Sequence, residues 1–400
     1  MLIGEATSTL FSISFFFLRK PENFYQGIEL ELASTPPDPL MLGDECLVAD
    51  HYEDERVNVN YTKVQERREE ALQALNGNVH VIVNKENIVL DLISIYKDPT
   101  ILEKKVVVGI EGVEASGDGV LREVYSLFWD SFLSQSDGDS EHSIPIIPNL
   151  NQEDYVSVGR ILSHQFVLCG MFPVKLSQAS MQHALFGMAT DECKIESFLR
   201  LLPPRERECT SRALKGDGPF PTGEIIDLLE DYCVRQLPTA DNIKSLVLSV
   251  ATAEFVTKPF LCLSSMREGM GQMWEKVTSE EIASLYEISR PTAAGIISIL
   301  QCIPENPKED QIFRWLERYL KGSSNEILAK FLRFCTATDV LLPGHGISVR
   351  TEVMPLVAIR PKSYTCFRRL TLPRNYQSYS QMRNNLDFYL RDCSIWDLND

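Results

Sequence analysis

Ser363-Tyr364-Thr365-Cys366-Phe367-Arg368-Arg369-Leu370-Thr371-Leu372-Pro373 is the stretch that decides the fold of this 400-residue chain. It sets one cysteine among basic residues and then enters an apolar run that a proline ends. The pattern predicts a strand over residues 365–372. Because successive side chains of a strand point to opposite faces, Thr365 and Phe367 would leave Cys366 alone on its own face.

The residues alone leave two interpretations of Cys366 open. Nearby positive charge favours the thiolate form that a nucleophile needs, and four cations lie close in the sequence: Arg360, Lys362, Arg368 and Arg369. Alternatively, a cysteine in a strand is a small buried hydrophobic residue. A cysteine hydrolase would also need an imidazole partner. The nearest histidine, His345, lies in a Pro/Gly turn that needs no catalytic explanation, so a hydrolase is not favoured.

The composition excludes several classes of protein. A formal net charge of −17 argues against a large nucleic-acid-binding face, which needs clustered Lys and Arg. The ten cysteines are scattered without a C-x-x-C pair, and with six histidines they predict neither a zinc site nor any other metal or cofactor site. Scattered cysteines fit a reducing compartment.

The apolar run Leu10–Leu18 is too short to span a bilayer. It has Glu5 where a signal peptide carries basic residues. We therefore expect a soluble protein without a membrane partner, and we interpret residues 1–60 as a poorly defined lead-in.

Secondary-structure signals change along the chain. A helix from Tyr61, a strand over Val79–Val83, a helix over Ile88–Tyr96 and a strand from Val106 open the regular part. The glycine-rich segment that follows the second strand lacks the lysine of a phosphate-binding loop. Its glycines are therefore explained by a turn that needs positive φ. Helices predominate next, over residues 159–169, 177–188, 195–202, 224–236, 242–253 and from a capping box at 278–281.

Two prolines in the polar run 302–308 indicate a linker. Beyond it the pattern alternates. The predicted helices are 310–321, 327–334 and a last one capped by Ser378, with Met382, Leu386 and Tyr389 facing inward. The predicted strands are 353–359 and 365–372. This alternation is typical of a small α/β unit.

The stretch around Cys366 resembles the signature of the HECT family of ubiquitin-protein ligases, L-P-x-[AS]-H-T-C-F-N-x-L-x-L-P. Upstream, Phe331–Thr338 is similar to the family's F-L-Q-F-x-T-G-[TS], and Gly109–Glu123 to its G-E-E-G-x-D-x-G-G-v-x-R-E-[FW]. The ordered series runs from about Val79 to the end. Two departures are notable: the family's histidine before T-C is Tyr364, and its asparagine after C-F is Arg368.

The resemblance implies an α+β, HECT-like bilobal fold. A large, mainly helical N-lobe would cover residues 61–302, a hinge 303–308, and a small α/β C-lobe 309–400. A conjugating enzyme would dock within about 193–276. A loose alignment places Leu246 and Val250 on the docking groove, and plain helix core is the alternative for both.

The resemblance also implies a two-step reaction. Cys366 would take ubiquitin as a thioester from a conjugating enzyme and pass it to a lysine of a protein substrate, in the cytoplasm or nucleus and without a cofactor. Thr365 would help to hold the thioester oxyanion, and Trp396 lies near an aromatic residue that aids transfer in the family. The alternative is a transfer-dead module that binds ubiquitin or its carrier, which Tyr364 and Arg368 keep open.

Overall fold

The computed structural model describes residues 49–113, 117–355 and 359–391. The helices before residue 240 are α1 (Ala49–Gln73), α2 (Ile88–Ile95), α3 (Asp118–Leu133), α4 (Gln152–Cys169), α5 (Gln178–Phe186), α6 (Asp191–Leu201), α7 (Pro204–Lys215) and α8 (Thr222–Asp231). Those after it are α9 (Ile243–Thr252), α10 (Phe260–Gly269), α11 (Ser279–Ser289), α12 (Ala293–Ile299), α13 (Pro307–Lys321), α14 (Asn325–Thr336) and α15 (Tyr379–Arg391). The described part is mostly helical with small sheets, which is compatible with the predicted α+β class.

Two small sheets carry the strands. The strands are β1 (Asn78–Val83), β2 (Lys105–Ile110), β3 (Leu300–Cys302), β4 (Ile347–Glu352), β5 (Lys362–Tyr364) and β6 (Arg369–Pro373). The parallel pair β1–β2 forms one sheet, and the order β3-β4-β6-β5 forms the other. In the second sheet β5 pairs with β6 in antiparallel fashion, and the other pairs are parallel. The antiparallel pair therefore brackets the predicted nucleophile.

Capping signals in the sequence were reliable. Ser177 accepts a hydrogen bond from the N–H of Ser180 at the start of α5. Thr278 and Glu281 form the predicted capping box of α11. Gly112 (φ 77°) and Gly117 (φ 114°) adopt the positive φ expected of the glycine-rich turn before α3. These confirmed elements all depend on contacts within a few residues.

Four other assignments need correction. Helix α1 begins at Ala49, so the lead-in is shorter than predicted, and residues 1–48, including the run at 10–18, lie outside the described residues. Of the strand expected over 353–359, residues 353–355 and 359 are not in a strand and 356–358 lie outside the described residues; the strand in this region is β4, which ends at Glu352. Helix α8 ends at Asp231 rather than near residue 236. In α15 it is Leu390, not Tyr389, that joins Met382 and Leu386 in the core.

Three clusters of buried apolar side chains hold the described part together. We call them the first core (β1, β2, α2 to α5, α10 and α11), the middle core (α6 to α9) and the C-terminal core (α12 to α15 with β4 and β6). Residues 340–342 reach two of them, because Val340 and Leu342 enter the first core and Leu341 enters the C-terminal core. Helix α12 and β3 precede the predicted hinge yet pack with the C-terminal core. The two-lobe limits stay predictions.

One polar network lies inside the first core. The hydroxyl of Tyr96 contacts the Tyr125 hydroxyl at 2.6 Å and Nδ1 of His164 at 2.9 Å. All three side chains are buried. Burial lowers the pKa of His164 to about 4, because a desolvated imidazolium is costly. The histidine is therefore neutral at physiological pH.

No single helix in the described ranges is both long and apolar enough to cross a membrane. Two helical segments that meet at a 48° bend, Ile243–Thr257 and Phe260–Gly269, reach the required length and composition only when taken together.

Candidate active site

Cys366 lies in a tight turn and not in a strand. Residues Thr365–Phe367 form one turn of 3₁₀ helix between β5 and β6, and the cysteine side chain is exposed. The predicted strand alternation around it was therefore wrong, since β6 begins only at Arg369. Exposure does agree with the nucleophile interpretation and disagrees with the buried hydrophobic one. The turn presents the thiol at the junction of two antiparallel strands.

Arg368 closes this turn in the left-handed region of backbone space. Its φ is 47° and its ψ is 48°, and its N–H donates to the carbonyl of Thr365 at 3.2 Å. Asparagine and glycine tolerate this conformation better than other residues do. The asparagine of the family signature therefore has a local conformational explanation, and Arg368 holds the same backbone position at a cost.

Cys366 packs against the first turn of α3. A Cβ built on Gly119 would lie 2.8 Å from Sγ of Cys366 and 3.0 Å from Oγ1 of Thr365. Any side chain at this position would therefore collide with the thiol or displace the turn. The contact joins residues that are far apart in the sequence, and sequence reasoning did not find Gly119.

Arg122, one helical turn beyond Gly119, ties the cysteine turn to α14. Its side chain is 4% exposed. Its Nε donates to the carbonyl of Thr336 at 2.7 Å and its Nη2 to the carbonyl of Thr365 at 2.9 Å. Burial lowers the pKa of Arg122, and the carboxylate of Asp118 opposes this shift because its negative charge favours the cation. The arginine was another residue that the sequence analysis missed.

Further cations surround the turn. Partial desolvation and then the positive charges of Arg368, Arg68 and Arg122 lower the pKa of His345 to about 4. The imidazole is therefore neutral at physiological pH, and the positive charge nearest the turn is that of Arg368 within it and of Arg122, which donates to the carbonyl of Thr365. In the described part of the chain no histidine hydrogen-bonds the Cys366 thiol, so His345 does not supply the partner that a cysteine hydrolase needs.

Ion pairs continue the contact between α3 and the residues after α13. Arg333 of α14 donates from Nη2 to Glu123 at 2.9 Å and from Nη1 to Asp130. Lys175 pairs with Asp130 at 2.7 Å and with Asp339 at 2.6 Å. Glu123 is 2% exposed, and burial raises its pKa although the neighbouring Arg333 opposes that rise. We call this set of contacts, together with those of Arg122, the α3 interface.

Two aromatic side chains flank the thiol on the outside. Phe367 is 74% exposed and Tyr364 is 46% exposed. The guanidinium carbon of Arg369 lies 5.8 Å and 5.9 Å from the centres of these two rings. Contiguous exposed apolar surface is typical of a protein interaction site.

The residues aligned with a docking groove do not face solvent. Leu246 and Val250 lie on α9, are 7% and 3% exposed, and pack in the middle core. Their position matches the helix-core alternative. The exposed large apolar residues in the region 193–276 are instead Leu237 and, at the start of α10, Phe260 and Leu261. Trp396 lies outside the described residues.

Comparisons with known proteins identify one family. Residues 245–399 match the protein-family model described as HECT-domain (ubiquitin-transferase). A search of curated proteins finds no match to the chain. The matched segment includes α9 to α15, both strands beside Cys366 and the 3₁₀ turn between them. The match over residues 245–399 supports a HECT domain of the ubiquitin-transferase family in this part of the chain.

Proposed function

We propose that this protein is a HECT-type ubiquitin-protein ligase with Cys366 as its acceptor thiol. The observation that carries the proposal is the exposed Cys366 on a tight turn inside the matched segment. Accessibility and neighbouring positive charge are the two conditions for a reactive cysteine. Here the Arg122 guanidinium donates to the carbonyl of Thr365, the residue before Cys366.

The proposed reaction has two acyl transfers. The Cys366 thiolate attacks the carbonyl carbon of the thioester that joins ubiquitin to a conjugating enzyme; a new C–S bond forms, and the enzyme's cysteine leaves as a thiolate. A lysine amine of the substrate then attacks the Cys366 thioester. An amide forms, Cys366 leaves as a thiolate, and the amine gives up a proton to solvent or a nearby base. Exchange between two thioesters is nearly isoenergetic, so orientation decides its rate.

Thr365 is our candidate for oxyanion support. Its hydroxyl lies beside Gly119 and Cys366, and its carbonyl is engaged by Arg122. Backbone or hydroxyl donors near the nucleophile can stabilise the charge that develops on the thioester oxygen. We further propose that residues 303–308 act as the hinge that moves the C-terminal core between donor and acceptor, and that the conjugating enzyme docks within 193–276. The proposed compartment is the cytoplasm or nucleus, since no disulfide joins any of the eight cysteines of the described part.

A second candidate function is a transfer-dead module that binds ubiquitin or its carrier. Two observations favour it. Tyr364 and Arg368 replace the two polar residues that flank T-C-F in the family signature, and Arg368 adopts a strained backbone conformation there. Such a module would retain the fold and the exposed aromatic surface without forming an adduct.

A non-reducing gel distinguishes the two candidates. The protein is mixed with a ubiquitin-charged conjugating enzyme, and a ligase gives an adduct that thiol reductant removes. Cys366→Ala should abolish the adduct, whereas Cys233→Ser, which alters the other exposed cysteine among the described residues, should leave it unchanged. Failure of every tested conjugating enzyme to give an adduct, together with binding that survives Cys366→Ala, would establish the binding module.

A further inference from the structure

We propose that the first turn of α3 is a seat for Cys366, in which Gly119 admits the thiol and Arg122 fixes the carbonyl of Thr365. Both are positioning residues for the thioester exchange. The effect of the seat on ubiquitin transfer rests on the proposed function. The seat itself rests only on contacts among the described residues.

A glycine is needed at position 119 because there is no space for a side chain, and not because of its backbone conformation. It is the second residue of α3, and its φ is not in the positive region where glycine is needed. Glycine is a poor helix former compared with alanine. The reason for a glycine here is the approach of Cys366, because an added Cβ would lie 2.8 Å from Sγ and 3.2 Å from the backbone nitrogen of Cys366.

Arg122 supplies a rigid connection between the seat and the turn. Its planar guanidinium spans two carbonyl oxygens, those of Thr336 and Thr365. Thr336 is the last residue of α14, so the bridge attaches the residue before the nucleophile to the end of a packed helix. Fixing that peptide unit limits the directions in which the next side chain, that of Cys366, can point.

The seated thiol stays accessible. Cys366 is exposed although one side of its sulfur lies against α3. The seat therefore restricts orientation without closing the site. Since thioester exchange depends on alignment, a displacement of about 1 Å can lower such a rate by roughly 10²-fold. Loss of the seat should lower the rate of transfer while leaving the affinity for the donor intact.

The chain offers a matched control for each substitution. Gly119→Ala adds a methyl group at the seat, and Gly223→Ala adds one at the second position of α8, where nothing lies within 4 Å. Arg122→Gln removes the bridge. Ser126→Ala is its control. It removes the hydrogen bond that the Ser126 hydroxyl, on the same helix, donates to the carbonyl of Ala337 at 3.2 Å, and it leaves the seat in place. Arg122→Lys keeps the charge but replaces the two fixed donor nitrogens, Nε and Nη2, by one ammonium nitrogen on a flexible stem.

Two measurements on the full chain test the seat. The first is the rate of adduct formation against the concentration of ubiquitin-charged conjugating enzyme. We expect kcat to fall at least about tenfold in Gly119→Ala, Arg122→Gln and Arg122→Lys with KM unchanged. The two controls should match the wild type. An unchanged kcat in Gly119→Ala, or a full activity of Arg122→Lys, would overturn the proposal.

The second measurement does not involve ubiquitin. Site-resolved mass spectrometry follows alkylation of Cys366 by iodoacetamide, with the exposed Cys233 as internal standard. Because the seat covers one side of the sulfur, we expect alkylation of Cys366 to accelerate about threefold in Gly119→Ala, and that of Cys233 to stay constant. Equal alkylation of Cys366 in Gly119→Ala and Gly223→Ala would refute the seat.

The two readouts separate failure of the seat from failure of the proposed function. If no adduct forms with any variant, the ligase proposal fails, and alkylation alone still decides whether the seat exists. Should Arg122→Gln not fold, Gly119→Ala, which adds only a methyl group, decides the question.

Discussion

Helix α14 makes two contacts of opposite character. One face carries Leu328, Phe331 and Leu332 into the C-terminal core, where each is nearly fully buried. The other carries Arg333 to Glu123 and Asp130 of α3. Water cannot replace the apolar contacts of the first face, but it can solvate the charges of the second once they separate. The difference is that the apolar contact cannot be replaced by water whereas the charged one can, so the charged contact is the one that the proposed hinge motion would open.

The largest effect should come from the apolar face. Phe331→Ala leaves a cavity in the C-terminal core and should lower the free energy of unfolding by about 3–5 kcal/mol. Urea unfolding followed by circular dichroism measures it. Lys330→Ala, one residue away on the exposed side, is the control and should change stability by less than about 0.5 kcal/mol. Similar losses in both variants would contradict the assignment of the two faces.

Arg333→Met removes the ion pairs that join α14 to Glu123 and Asp130 of α3. It leaves the carboxylate of Glu123 buried without its partner, which should cost about 3 kcal/mol. Lys330→Met removes only a surface pair with Glu326 and should cost within about 0.5 kcal/mol.

Hydrogen exchange tests whether the loss of stability in Arg333→Met is confined to the contact between α14 and α3. In Arg333→Met, amides of α3 should lose protection, while those buried in the C-terminal core keep theirs. The double variant Glu123→Gln/Arg333→Met should recover part of the stability, because no buried charge remains unpaired. Loss of protection in the C-terminal core would show that the two contacts are not separable.

Acid should act on the polar network of the first core. His164 has a pKa of about 4 in the folded protein, below its usual 6.5, so the unfolded chain binds the proton more readily. Stability is therefore complete above pH 6.5 and decreases as the pH falls towards 4, by about 3 kcal/mol at this site. His164→Gln should flatten the decrease in stability with falling pH. The pKa of His345 is also lowered to about 4, but this residue is exposed and screened by solvent, so His345→Gln should flatten the decrease less. A wild-type curve that is parallel to that of His164→Gln would contradict this origin.

The smallest effect concerns the turn itself. Arg368→Asn places a residue that tolerates positive φ at this position, and it should raise the free energy of unfolding by up to about 1 kcal/mol. Arg369→Asn, at the start of β6, has no such strain to relieve and should not stabilise the protein. The midpoint of thermal unfolding distinguishes the two. No gain in Arg368→Asn would show that the turn is held without strain.

The sequence predicted features that depend on neighbouring residues. The caps at Ser177 and Thr278, the strands β1 and β2 and the glycine-rich turn were all confirmed, because each is a local signal. The family resemblance at Cys366 was confirmed by the match over 245–399. It identified the position of the cysteine but not its conformation, since the left-handed backbone of Arg368 interrupts the alternation that a strand would need.

The sequence patterns did not predict contacts between segments that are far apart in the chain. Arg122 and Thr365 are 243 positions apart, and nothing in the spacing of either residue indicates their hydrogen bond. The strand expected over 353–359 was misplaced because apolar residues occur on both sides of Glu352, and pairing with β6 selected the earlier segment. Leu246 and Val250 illustrate the same difficulty, as an apolar helical face is identical in a groove and in a core.

The most direct test of the central claim maps the site of the adduct. A single turnover with ubiquitin-charged conjugating enzyme is stopped in acid without reductant, digested and read by mass spectrometry. The account predicts a ubiquitin-derived remnant on the peptide that contains Cys366, removable by hydroxylamine and absent in Cys366→Ala. A thioester on any other cysteine, or transfer to lysine that persists in Cys366→Ala, would contradict it.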